Sequence, residues 1–467
     1  MDDGTTYDVR VYRTEVYKGA KVTTCWVRWK VGDKVRKEPF RNAAQADSFR
    51  SSLLASARSG EAFSLTTGRP VAWKRRESSL SWYALTLAYT SAKWNYVSPN
   101  HRRGIAEALT DATEVVLTVD ESPYARDEIR RALRSWAFSS RLQGESEPPA
   151  DLADVVRWLE SATIPLEELV HPGSGTLRTR LLLDRISRKK DGTLAAANTA
   201  NRKRMVLGSV LDYACETGVL AINPVKRMKW ARPRALKTVD PRIVINVDQA
   251  QRLLAAIRAQ GSRGERLVAF FACMYYAALR PEEVIGLRRS HLVSLPAHGW
   301  GEMRLTHSEP RSGSRWTDNG RSRERRELKH RPVGDTRSVP IHPDLAQLLR
   351  AHLDTFGTGP DGRVFAGPRG GIVAEWAYLD VYHRARKAAF TDTEAQSQLA
   401  ETPYALRHAA VSTWLNAGVG APQVAEWAGH SVEVLLRVYA KCIAGQQDEA
   451  KRRILEATRL GATGTDL

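Results

Sequence analysis

The stretch TPYALRHAAVSTWLNAGVGAPQVAEWAGHSVEVLLRVYAKC, Thr402 to Cys442, decides the reading of this chain. It is Ala-rich and mostly apolar, as packed helices are, yet it sets Arg407, the pair Gly429-His430 and Tyr439 along its length. A helical core needs none of these polar groups in that order. An arginine offers a planar fork of donors suited to a phosphate, a histidine adds a neutral donor, and a tyrosine carries a hydroxyl able to attack phosphorus. Together they outline a phosphodiester site.

Composition narrows the partners. The 467 residues leave room for two to four domains at roughly 100–200 residues each. With 42% hydrophobic and 26% charged residues the chain has the apolar surface of a folded protein. Its 71 Lys and Arg against 52 Asp and Glu give a formal charge of +19, which favours a polyanion. Nucleic acid leads, because an anionic membrane would need an amphipathic basic helix or an anchor. The longest uncharged apolar run, Leu267 to Leu279, is too short to span a bilayer and reads as a buried core helix. The opening MDDGTTYDVR lacks the basic-then-apolar pattern of a secretory signal. Cys25, Cys215, Cys273 and Cys442 are widely separated, so neither a disulfide framework nor a zinc site is expected, and the cytosol is the expected compartment.

Working outward to the N-terminus, residues 1–75 alternate in strand fashion through YDVRVYRTEVYKG, TTCWVRWKVGDK and VRKEPF, followed by a helix ending at Gly60. A three-stranded sheet backed by one helix is expected, with Arg28 and Lys30 among the basic residues able to enter a DNA groove. From 79 to 225 the pattern is helical. It passes through a loop beginning LQGESEPP and closes on one long helix stopped by Gly218 and Asn223-Pro224. The opening turns of that helix carry Asn198, Asn201, Arg202, Lys203 and Arg204, polar groups that would meet phosphates. Residues 226–245, with Lys226 and Arg227 at their start, form a basic, proline-containing segment expected to be an extended linker able to lie along a DNA backbone. A second globular unit, 246–467, opens with Asn246 three before Gln249, a variant capping box. In it GEMRL, RELKH and RSVPI read as strands, the last two joined by the turn RPVGDT. The fold class expected is mainly α with small β elements: an N-terminal sheet with one helix, a helical domain, and a mixed, mostly helical α/β domain.

Four boxes now line up. AALRPEEVIGLRRSHL supplies Arg280 with Glu283 in support, ELKHRPVGDTRSVPI supplies Lys329, YALRH supplies Arg407, and AGHSVEVLLRVYAKC supplies His430 with Tyr439 nine residues on. In this order they resemble the catalytic domain of the tyrosine recombinases, in particular the phage-type integrases. By that resemblance residues 1–75 are similar to an arm-type DNA-binding domain, 79–225 to a core-type DNA-binding domain, and 246–467 to the catalytic domain.

The resemblance implies a site-specific recombinase, an integrase. In it Tyr439 attacks the scissile phosphorus, leaving a 3′-phosphotyrosyl link and a free 5′-hydroxyl, with no cofactor and no metal. Arg280 and Arg407 would clamp the non-bridging oxygens, His430 would add a donor and Lys329 would protonate the leaving oxygen. Where the family usually has histidine, three residues before the second arginine, stands Tyr404, which can donate or relay a hydrogen bond but is a poor base near neutral pH. His408 reads as a helix-packing residue. The family's arrangement further implies a homotetramer on double-stranded attachment-site DNA and an excisionase that sets direction, with the last helix either reaching a neighbour or packing on its own domain. Two other readings stay open: a type IB topoisomerase that relaxes DNA without exchange, and a DNA-binding protein whose site has decayed.

Overall fold

The computed structural model describes residues 4–18, 23–71, 73, 80–118, 122–139, 147–234, 238–329, 331–332, 334–442 and 446–459. The expected Gly-Ala turn at 19–20, the start of the loop at 142–146 and linker residues 235–237 lie outside the described residues. The chain divides into two compact units, Met1–Pro233 and Arg234–Leu467.

In the first unit β1 (Thr5–Thr6) pairs with β6 (Phe63–Ser64), and a separate sheet is built around β4 (Thr23–Val31). Period-two alternation buries Cys25, Val27, Trp29 and Val31 of β4 and leaves Trp26, Arg28 and Lys30 partly exposed. One edge of β4 pairs with β5 (Lys34–Phe40). The other edge carries a row broken in two, β2 (Val9–Val11) and β3 (Glu15–Lys18), where a single strand was expected. The break is a register effect: Val11 faces Trp29 and Glu15 faces Trp26, so Tyr12, Arg13 and Thr14 oppose only Val27 and Arg28. Helix α1 (Ala43–Arg58) starts where Asn42 accepts the Gln45 N–H at 2.8 Å, and lays Ala46 and Leu53 on the buried face.

Among the described residues there follow α2 (Trp82–Trp94), α3 (Pro99–Thr113), α4 (Arg126–Ala132), α5 (Ala150–Ala162), α6 (Ser174–Ile186) and α7 (Ala197–Glu216). The periodicity did not single out α6. Helix α7 ends at Gly218, whose φ of 75° gives the left-handed stop. The linker is not wholly extended as expected. Asn223 accepts the Val225 N–H at 3.0 Å, and Pro224 presets the first turn of the short α8 (Pro224–Arg227).

An ion cluster ties α3, α4, α6 and α7 together. Glu114, just past α3, accepts from Arg126 at 2.9 Å and Arg185 at 2.7 Å and also pairs with Arg130, while Asp111 accepts from Arg130, Arg185 and Lys203. Lys203, expected to face DNA, is instead buried in this cluster.

The second unit opens with α9 (Val247–Arg258), where Gln249 N–H donates to Asn246 at 2.8 Å and Asn246 N–H to Gln249 at 3.0 Å, the reciprocal box read from sequence. Helix α10 (Gly261–Tyr276) is the core element, burying Leu267 through Tyr275. Around it stand α11 (Pro281–Ile285), the sheet β7 (Leu292–Ser294), β8 (Gly301–Leu305) and β9 (Arg337–Ile341), then α12 (Pro343–Phe356), α13 (Glu375–Ala389) and α14 (Asp392–Gln396). Helices α15 (Tyr404–Asn416), α16 (Ala421–Ala428), α17 (Val432–Tyr439) and α18 (Gln446–Arg459) are the last among the described residues.

The expected hairpin of RELKH with RSVPI does not form. RSVPI is β9, and its partner is β8, with Met303 against Val339 and Gly301 against Ile341. Those two strands carry matching apolar faces, whereas RELKH has a single apolar residue to bury. Among its described residues only Arg326 pairs, with Ser308, so the Gly/Ser/Arg-rich loop folds back on itself. Among the described residues no helix is long and apolar enough to cross a membrane.

Burial alone would raise the Glu114 carboxyl, but hydrogen bonds from Arg126, Arg130 and Arg185 hold it down to about 2 from an ordinary 4.5. Its contribution to stability is therefore complete above the ordinary value and is lost as pH falls from there towards 2. Glu114→Gln, which leaves the arginines under-compensated, is expected to destabilise the first unit by about 3 kcal/mol. Urea unfolding at pH 7 should show that loss, and at pH 3 the gap between variant and parent should narrow.

Candidate active site

Helix α10 ends in a tight reversal in which Ala278 takes a φ of 49°, a conformation rare for a residue with a side chain. The turn delivers Arg280 to the N-cap of α11, where Pro281 fixes the first helical φ. Glu283 then does two things. One oxygen accepts the Arg280 backbone N–H at 2.8 Å, and the other accepts its guanidinium at 2.9 Å. The same buried carboxylate binds Arg337, the first residue of β9, through two bonds of 2.9 and 2.8 Å. Burial would raise the Glu283 pKa, but the guanidiniums of Arg337 and Arg280 hold it well below the usual carboxylate range.

Arg407 lies on α15 with 0% exposure. It donates to the carbonyl of Ala278, the reversed residue, and to that of Ala428. Arg280 donates to the next carbonyl, Gly429, at 3.0 Å. Two guanidiniums thus cap the C-terminus of α16, where orphan carbonyls and the helix dipole favour cations. Gly429 takes a φ of 65°, and a Cβ there would run into Arg337 Nη1 and lie 3.4 Å from Arg280 Nη1. Glycine is therefore required twice over, by backbone and by space.

That turn also sets His430, whose Nε2 lies 2.8 Å from Arg407 Nη2. A guanidinium only donates, so Nε2 accepts and a neutral ring carries its proton on Nδ1. Burial, then the charges of Arg407, Arg280 and Arg337, push His430 down to about 3, which keeps it neutral. His430 Nδ1, Arg407 Nε and Arg337 Nε are buried without a hydrogen-bond partner among the described residues.

Tyr439 ends α17 with 0% exposure, its ring 6.1 Å from that of His430. Its hydroxyl lies 2.9 Å from Nδ1 of His408. The His408 ring also meets Tyr404, centroid to centroid at 5.0 Å. Burial raises the Tyr439 pKa above its ordinary value against the opposing pull of Arg407, and burial, then Arg407, pushes His408 down to about 4. One backbone bond fastens α17 from outside: Val239 N–H donates to the carbonyl of Val438 at 2.7 Å.

Arg280, Glu283, Tyr404, Arg407, His430 and Tyr439 are thus brought together. Lys329 is not: it is exposed in a turn, and among the described residues no hydrogen bond or ion pair ties it to the cluster. Sequence reasoning passed over two members. Arg337 sits in phase with the inward residues Val339 and Ile341, and an arginine in that phase was the available signal. His408 was taken as helix packing, although its place one turn after Tyr404 puts it on the same face. Three buried guanidiniums and a histidine donor surround one buried carboxylate, an arrangement suited to holding an oxyanion.

Of the other polar positions read from sequence, Asn198, Arg202, Lys226 and Arg227 are exposed. Lys226 pairs with Asp212 at 2.7 Å and Arg28 with Glu15 at 2.7 Å. Lys30 lies 3.8 Å from Asp33. Asn201 donates to the Pro233 carbonyl at 3.0 Å, and Arg204 lies over the Trp230 ring at 5.3 Å.

No protein-family model and no curated protein matches the chain. Among solved structures it is similar to the Tn1549 transposon integrase in complex with transposon right end DNA, at 17% identity and TM-score 0.47 over 68% of this chain and 97% of that one. It is similar to the XerH site-specific recombinase bound to palindromic difH substrate, at 14% identity and TM-score 0.43 over 78% and 97%. A lambda integrase tetramer bound to a Holliday junction is similar at 12% identity and TM-score 0.43 over 87% and 89%.

Gly429→Ala is expected to cost at least about 1–2 kcal/mol for the left-handed backbone alone, before the displacement of Arg337 is counted. Gly371→Ala, where a Cβ meets nothing within 4 Å and φ is not positive, is the control. Denaturant midpoints that move equally in the two variants would count against the close approach at 429.

Proposed function

We propose that the chain is a tyrosine-type DNA strand transferase, a site-specific recombinase that cuts and rejoins attachment-site DNA through a 3′-phosphotyrosyl intermediate and so integrates a mobile element. The observation that carries the reading is the buried trio Arg280, Arg337 and Arg407 with half-buried His430 beside the hydroxyl-bearing Tyr439, and Glu283 as the one fully buried carboxylate among them. Its excess positive charge and its unpartnered donors suit the oxygens of a phosphodiester. The net charge of +19 suits the same partner.

In this reading Arg280 and Arg407 hold the non-bridging oxygens, His430 donates from Nδ1, and Tyr439 attacks in line. Lys329 protonates the departing 5′-oxygen, and its exposed turn has to fold over the phosphate for it to do so. Tyr439 also has to move, because a fully buried hydroxyl cannot touch DNA. Helix α17 buries only Leu435 and Tyr439, so it has little packing to break. Arg28, Lys30, Asn198, Asn201, Arg202, Arg204, Lys226 and Arg227 contact DNA outside the cut. As in the family it resembles, four protomers act in pairs on two DNA sites, and an excisionase sets the direction.

The test uses nicked duplexes tiled across the DNA flanking the coding gene. The wild-type chain should form a covalent adduct resistant to denaturant, and Tyr439→Phe should bind the same duplex without forming it. An adduct that survives the substitution removes Tyr439 from the role. Lys329→Ala should slow cleavage, and a 5′-bridging phosphorothiolate, whose sulfur leaves without a proton, should restore the rate. Affinity should fall linearly on a log–log plot against salt, and a flat plot would contradict phosphate neutralisation.

A further inference from the structure

We propose that His408 is the base that receives the proton of the Tyr439 hydroxyl, the role that the residue at 404 cannot fill. The inference rests on the reading of Tyr439 as the nucleophile. Its ground is the 2.9 Å contact between His408 Nδ1 and Tyr439 Oη, a direct contact with the reacting atom that has to be kept or remade when Tyr439 comes out to the phosphate. Among the described residues no other side chain is hydrogen-bonded to that oxygen. Tyr404 meets His408 through its ring, at 5.0 Å between centroids, and so helps to fix the imidazole. His430 lies across the Tyr439 ring at 6.1 Å and spends Nε2 on Arg407, so it is oriented as a donor to phosphate and not as an acceptor from tyrosine.

The charged and titratable groups acting on the pair are Arg407 and Tyr404 from α15, Cys442 beyond α17, and Arg280 from the N-cap of α11. Burial and Arg407 keep His408 neutral, with a lone pair free for Nδ1 when Nε2 carries the ring proton. A phosphodiester seated against Arg407 and Arg280 would offset their charge, and the imidazole would then hold a proton more readily. In the forward step the Tyr439 Oη–P bond forms, the P–O5′ bond breaks, the hydroxyl proton passes to His408 Nδ1, and the 5′-oxygen takes a proton from Lys329. In the return step the 5′-hydroxyl attacks phosphorus and gives its proton back to the lysine amine. Tyrosine leaves with the proton stored on the imidazolium. The cycle closes with no proton gained or lost.

The experiment measures single-turnover adduct formation against pH on the nicked duplexes for the wild type, His408→Ala and His408→Asn. Asparagine places an amide near Nδ1 that can hold the hydroxyl by a hydrogen bond but cannot take its proton. Both variants are expected to lose about 100-fold or more in rate and to lack the acidic limb of the wild-type profile. Added imidazole should restore part of the rate to the alanine variant alone, which has the space for it. Near-UV circular dichroism and duplex binding confirm folding, and the asparagine variant keeps the test decisive should alanine not fold. Wild-type rate in His408→Asn, or an unchanged acidic limb in either variant, overturns the role of His408 and leaves Tyr439 in place. Absence of any wild-type adduct overturns the nucleophile reading, and this inference with it.

Discussion

Everything at the centre of the second unit depends on one buried carboxylate facing two buried guanidiniums. Glu283 holds the backbone of Arg280, the side chain of Arg280 and both outer nitrogens of Arg337. Without it, two desolvated cations would stand side by side beneath the surface, an arrangement that costs several kcal/mol per uncompensated ion. With it, the start of α11, the start of β9 and the turn after α16 are locked together, because Arg280 also reaches the Gly429 carbonyl. A single side chain thus serves as helix cap, counter-ion and geometric reference.

The carboxylate compensates only part of the charge. Arg407 has carbonyls for partners rather than an acid, and burial pushes its pKa down. A cation supported by dipoles alone remains able to attract an anion, and its donors need no reorientation when one arrives. The same logic governs His430: fixed by Arg407 as an acceptor at one nitrogen, it is left with a donor at the other. The site is built by committing each polar group on one side so that its other side is defined.

How much of this could be read beforehand follows from the range of the interactions involved. The Asn246–Gln249 box, the Gly218 stop and the alternation in β4 are settled within a few residues of chain, and each was legible. The order of Arg280, Arg407, His430 and Tyr439 was legible as a resemblance, and the structure gathers those four. What escaped depends on distant partners. Whether RSVPI pairs with RELKH or with GEMRL turns on matching two apolar faces across more than thirty residues, and local turn signals pointed the wrong way. The break between β2 and β3 is a mismatch of one residue between two strands, invisible in either alone. Lys203 sat among polar neighbours in sequence, but its counter-ion, Asp111, comes from another helix. The contact of His408 with the Tyr439 hydroxyl escaped because a histidine on an apolar helix is ordinarily packing, and the tyrosine it meets is 31 residues away.

The bond from Val239 to Val438 carries a mechanical consequence. The residue just before the nucleophile candidate is tethered to the segment that leads into α9, within the same unit. That bond holds the backbone of the helix end bearing Tyr439 through a single peptide link, much as a cord holds a latch. A movement that carries the phenol outward has to break this link or take it along.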